Sequence, residues 1–117
     1  MHIAMIGAGY VGLVSGACFS DFGHHVVCVD SDEDRIAALK RGEIPIHEPG
    51  LSELVAQNVR QGRLAFVRDL KSAVSNAEVI FIAVGTPSRR GDGHADLTYV
   101  YDAAREIAQR FPAMPWW

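Results

Sequence analysis

The 117-residue chain has few cysteines, no long apolar run and no surplus of positive charge, and each shortage removes a class of function. Cys18 and Cys28 stand in apolar surroundings without metal-ligand spacing, which excludes a disulfide scaffold and reads both as small buried hydrophobes. Such cysteine usage makes the cytoplasm the expected compartment, and no catalytic thiol is expected, since a reactive cysteine needs partial exposure and a positive neighbour. No apolar stretch nears the length that spans a bilayer, and Met1 leads directly into a strand pattern, so neither membrane contact nor a signal peptide is expected. A net charge of −3 leaves no electrostatic footprint for nucleic acid. The adjacent basic pair Arg89-Arg90 falls in a glycine-rich loop and reads as solvated. The histidines, among them His24, His25, His47 and His94, offer no i, i+4 pair for a metal, and no metal site is expected.

What is present starts at the first residues. Ile3-Ala4-Met5-Ile6 is an apolar strand, Gly7-Ala8-Gly9-Tyr10-Val11-Gly12 a turn into an apolar helix, and Val26-Val27-Cys28-Val29 a second strand ending at Asp30. A bare glycine triplet is weak evidence. Here it follows a strand, opens a helix and precedes an acid by about 20 residues, which is the dinucleotide-binding fingerprint in its context. Gly7 allows a tight turn, Gly9 lets backbone approach a pyrophosphate, and Gly12 lets the helix pack closely on the strand. Free N–H groups and the positive end of the helix dipole then face the phosphates.

Asp30 reads as the ribose-binding acid. Its carboxylate accepts from the two adenosine ribose hydroxyls and repels a 2′-phosphate, and Asp32, Glu33 and Asp34 add acidity, so NAD is expected over NADP. Arg35 is the contrary sign. It is placed to reach a 2′-phosphate, to lie over the adenine or to support the ribose edge.

The rest alternates strand runs and helical periods, without repeats or low-complexity linkers. Ser31 and Asp34 form a capping-box pattern before a helix carrying Ile36 and Leu39. Residues 44–50 form a proline-fixed loop, and Leu51, Leu54, Val55 and Val59 recur at helical spacing. A short strand over 64–67 and a brief helix capped by Asp69 follow. The continuous apolar run over 79–84 predicts a strand covered by helices on both faces, ending in Gly85-Thr86-Pro87. The last helix is expected from Asp96, with Leu97, Val100, Ala104, Ile107 and Ala108 inward. The pattern predicts an α/β fold, a Rossmann-type parallel sheet of order 3-2-1-4 with helices on both faces. Ligands bind beyond the carboxyl ends of such strands, so Thr86 is a second cofactor candidate, its plainer role being to shape a turn.

On these residues the chain resembles the N-terminal NAD-binding part of the UDP-glucose 6-dehydrogenases, in the UDP-glucose/GDP-mannose dehydrogenase family. The matching phrases are IAMIGAGYVGLVSGACFSDFGH, VVCVDSDEDRIAALKRGEIPIHEPGL, VIFIAVGTPSRRGDGHADLTYV and AREIA. The resemblance implies oxidation of UDP-glucose to UDP-glucuronate with two NAD molecules. It places the pyrophosphate at Gly7, Gly9 and Gly12 with Tyr10 and Val11 contributing backbone. Asp30 then matches the ribose acid, Arg35 the basic residue after it, and Val84-Gly85-Thr86-Pro87 the family's VGTP loop.

The family's catalytic cysteine and lysine belong to a sugar-binding domain without counterpart in these 117 residues, as does its Ser-Thr-Val-Pro loop. No catalytic residue is therefore assigned, and residues 1–109 are expected to bind NAD without turnover; a UDP-sugar substrate requires the absent domain. Residues 110–117, with Trp116 and Trp117, depart from the family and read as a truncated or frame-shifted end. Two other readings are a GDP-mannose 6-dehydrogenase, which shares the cofactor half, and a free-standing module forming a homo-oligomer through the uncovered edge of the fourth strand.

Overall fold

Along the first strand, side chains alternate between two buried faces. Ile3 and Met5 point to one, Ala4 and Ile6 to the other, and all four are at most 7% exposed. Burial on both sides is what a parallel sheet between helical layers demands. The computed structural model describes residues 1–86, 91 and 93–110. Its elements are β1 (His2–Ile6), α1 (Tyr10–Asp21), β2 (His25–Val29), α2 (Glu33–Lys40), α3 (Leu51–Arg60), β3 (Leu64–Val67), α4 (Leu70–Val74), β4 (Val79–Ile82) and α5 (Thr98–Arg110). The strands form one parallel sheet in the order β3-β2-β1-β4, as the crossover rule predicts. Met5 pairs with Cys28 on one side and with Phe81 on the other.

Each face has its own core. Met5, Leu13, Ala17, Cys28, Ile36, Leu39, Val55 and Phe66 fill the layer between the sheet and α1, α2 and α3. Ala4, Ile6, Val29, Ala73 and Val74 fill the opposite layer, where Ala103 and Ile107 of α5 pack. Helix α1 lies close to the sheet because its contact face is small: Gly12, Gly16 and Ala17 are buried, and a Cβ at Gly16 would stand 2.9 Å from Cys28 Sγ. Burial pushes the Cys28 thiol up to about 12, so it stays protonated, while Cys18 is only half-buried. Both cysteines are free.

Four expectations change in detail. Helix α1 is not enclosed all round: Val11 and Phe22 are exposed because helical neighbours cover only one flank. The α2 cap is Asp32, whose side chain accepts from the Arg35 N–H, in place of Ser31. Strand β4 lies at the edge of the described sheet, and Phe81 and Ile82 keep 40% and 38% exposure in place of full cover. Phe81 finds its partner in Phe19 of α1, stacked at 5.3 Å. Helix α5 begins at Thr98, whose N–H donates to Asp96 Oδ1, and turns Val100, Ala103 and Ile107 inward while Leu97, Ala104 and Ala108 are exposed. Pro87, the Arg89-Arg90 pair and the apolar end 111–117 lie outside the described residues. No helix among the described residues is long and apolar enough to cross a membrane, and these residues hold no group of three or more His, Cys, Asp or Glu that could bind a metal.

Candidate functional site

The site forms where β1, β2 and β4 end. The Gly7 N–H donates to the Val29 carbonyl at 2.7 Å, which holds the turn against β2. Gly7 has φ 108°, a region that disfavours side chains, and a Cβ there would stand 2.5 Å from the Ala83 carbonyl oxygen. A Cβ at Gly12 would come within 1.9 Å of the Gly7 carbonyl oxygen. These two glycines let strand, turn and helix touch. Gly9 differs, since a Cβ there would meet nothing within 4 Å; its space opens outward.

Beyond Gly9 the helical ladder starts with the Leu13 N–H on the Gly9 carbonyl, 2.9 Å. The N–H groups of Tyr10, Val11 and Gly12 have no intrahelical acceptor. No side chain caps this end, and its first turn carries no acid. A positive, donor-rich helix end therefore faces the turn.

Asp30 closes the other side. Its Oδ2 accepts from the Ala8 N–H at 2.9 Å, its Oδ1 from the Asp32 N–H at 2.8 Å, and Arg35 Nη1 lies 3.0 Å from Oδ2. Burial pushes the carboxyl up, but the two backbone donors and the Arg35 guanidinium outweigh it and hold the group below its ordinary value. Asp30 is thus a fixed carboxylate at neutral pH. Its three donors among the described residues occupy three of about four lone-pair sites, leaving room for a further donor.

Gly7, Gly9, Tyr10, Val11, Asp30, Arg35, Val84, Gly85 and Thr86 line one cleft of about 860 Å³. Gly12 lies behind it, packed on Gly7. Val84, Gly85 and Thr86 reach the cleft because the β1–β4 ladder continues through the Ala83 N–H on the Ile6 carbonyl, 2.7 Å. Arg68, Tyr99, Asp102 and Glu106, which no sequence motif singles out, also line the cleft. Arg68 pairs with Glu33 at 3.1 Å, both exposed. Tyr99, Asp102 and Glu106 recur at helical spacing on the side of α5 that faces the cleft, a pattern readable in sequence once the inward face is assigned.

The sequence profile of the NAD binding domain of the UDP-glucose/GDP-mannose dehydrogenase family matches residues 1–113. The chain belongs to this family. A UDP-glucose 6-dehydrogenase of Rhizobium meliloti is 74% identical over 108 residues, which are 92% of this chain and 25% of the relative. The Bacillus subtilis UDP-glucose 6-dehydrogenase TuaD is 55% identical over 107 residues, 92% of this chain and 23% of the relative. Among solved structures, the GDP-mannose dehydrogenase of Pseudomonas aeruginosa in a ternary complex superposes with a TM-score of 0.89 at 43% identity, covering 94% of this chain and 25% of that one. The chain thus spans about a quarter of the length of these relatives and supplies the family's NAD-binding domain, with NAD as the cofactor. The strand order and the helical layers are those of dehydrogenase NAD-binding domains.

Proposed function

We propose that this chain is the NAD-holding part of a UDP-glucose 6-dehydrogenase, with the cofactor lying across the cleft between the glycine turn and Asp30. The observation that carries the reading is Asp30 itself: an ionised carboxylate, fixed by the Ala8 amide of the turn, beside a helix end that has no cap of its own. Gly7, Gly9, Tyr10, Val11 and Gly12 shape the pyrophosphate side, where the open space at Gly9 suits close approach of phosphate oxygens. Asp30 takes the adenosine ribose, with Arg35 supporting its edge. Val84, Gly85 and Thr86 border the other half of the dinucleotide.

When bound, NAD supplies a hydride acceptor. The chain's own residues bind and orient it, and no catalytic role falls to any of the 117. Residues 1–109 act as part of the NAD-binding domain, and the family resemblance implies that a sugar-binding domain with the catalytic thiol lies in the length that the relatives have beyond this match. UDP-glucose is favoured over GDP-mannose because the relative at 74% identity is a UDP-glucose 6-dehydrogenase, against 43% for the GDP-mannose enzyme. The setting is the cytoplasm, where two free cysteines stay reduced.

Calorimetric titration tests the proposal. NAD binds saturably, NADP binds about tenfold or more weakly, equivalent to at least about 1.4 kcal/mol, and UDP-glucose added with NAD yields no NADH from this chain. Equal affinity for NADP, or no binding of NAD, overturns the assignment of Asp30; NADH formation overturns the absence of catalytic residues.

A further inference from the structure

Tyr10 is the first residue of α1 and lines the cleft beside the glycine turn, yet 55% of it is exposed. An exposed ring at a cleft mouth samples several rotamers unless something holds it. Its phenol O–H donates to Glu48 Oε1, a carboxylate 38 residues further along the chain. Glu48 belongs to the loop between α2 and α3, and this loop is pinned at several points. Pro45 and Pro49 fix their backbone angles on either side of it. Ile44 and Ile46 pack against the core under α1 and α3, and the Glu48 carbonyl accepts from the Leu51 N–H at 3.1 Å where α3 begins. Leu51 and Val55 then anchor α3 at 5% and 2% exposure. The carboxylate therefore reaches Tyr10 from a backbone with little freedom of its own.

We propose that Glu48 is a positioning residue for the cofactor: through the Tyr10 phenol it fixes the ring that walls the cleft, and it ties the proline loop to dinucleotide binding. The inference rests on the reading of the cleft as the NAD site. A wall set before the ligand arrives spares the ordering that binding otherwise requires. Glu48 touches no ligand in this account and acts only through Tyr10. Gln at position 48 retains an oxygen that accepts from the phenol, whereas Ala retains none.

The test is a double-mutant cycle read by NAD titration, with circular dichroism to verify the fold of each variant. Tyr10→Phe and Glu48→Ala each weaken NAD binding by about fivefold, the double variant is no weaker than either, and Glu48→Gln stays within about twofold of the unmodified chain. A second readout is independent of NAD. The chain has three tyrosines; the Glu48 hydrogen bond and charge hold the Tyr10 phenol above its ordinary value, so one phenolate absorbance step moves down in Glu48→Ala. Unchanged affinity in both single variants, effects that multiply in the double variant, or an unmoved phenolate titration overturns the inference while leaving the cleft assignment intact. Failure of the unmodified chain to bind NAD overturns both.

Discussion

A methyl group added at Gly12 would stand 1.9 Å from the Gly7 carbonyl oxygen, whereas one added at Gly9 would meet no protein atom within 4 Å. The two substitutions therefore separate folding from binding. Gly12→Ala forces α1 off the turn and lowers stability by about 2–4 kcal/mol in denaturant unfolding. Gly9→Ala lowers it by less than about 1 kcal/mol, the scale of a changed helix cap, but weakens NAD binding because the methyl group enters the phosphate space. Asp30 carries the pH dependence. Its folded-state value is depressed, so its contribution is fully present above the ordinary carboxyl value of 3.8 and is lost as pH falls through the lower folded value. In acid unfolding, the stability advantage of the unmodified chain over Asp30→Asn is flat near neutral pH and shrinks below about pH 4. An advantage that instead grew on acidification would contradict the hydrogen bonds assigned to Asp30.

Elements were legible where a continuous apolar run marks a strand or an apolar stripe marks a helix, and less so where neighbouring residues compete for one role. The four strands and their order follow from the apolar runs and the crossover rule, and Asp69 caps α4 as its sequence implies, accepting from the Lys71 N–H. Ser31 and Asp32 are both good capping residues; only the backbone at Asp32, φ −75° and ψ 104°, selects it. Asp32→Ala therefore destabilises by about 1 kcal/mol in thermal or chemical unfolding, while Ser31→Ala changes little. Helix α5 carries Ala103 and Ala104 side by side, and an alanine marks neither face, so Val100 and Ile107 were readable as inward while the choice of Ala103 over Ala104 emerges only from packing on α4 and the sheet. The exposure of Phe81 and Ile82 was hidden for a related reason. An apolar run shows that a strand favours burial, and its neighbours decide how much it receives.

At the scale of the whole molecule, the glycine turn and Asp30 were readable because the fingerprint is local, set by a strand, a turn and an acid about 20 residues on. The α5 wall of Tyr99, Asp102 and Glu106 was not, because its contact with the cleft depends on how the last helix folds back over the sheet. The link from Glu48 to Tyr10 escaped the sequence for the same reason of distance. What the molecule assembles is one end of a sheet on which three strand ends, one helix end and one carboxylate converge. Amide chemical-shift mapping during an NAD titration tests this convergence directly. The amides of Gly7 to Gly12, Asp30 and Val84 to Thr86 shift together and saturate on one binding curve, and those shifts vanish in Asp30→Ala while its fold persists. No shifts, or shifts confined to residues away from these strand ends, would contradict the account.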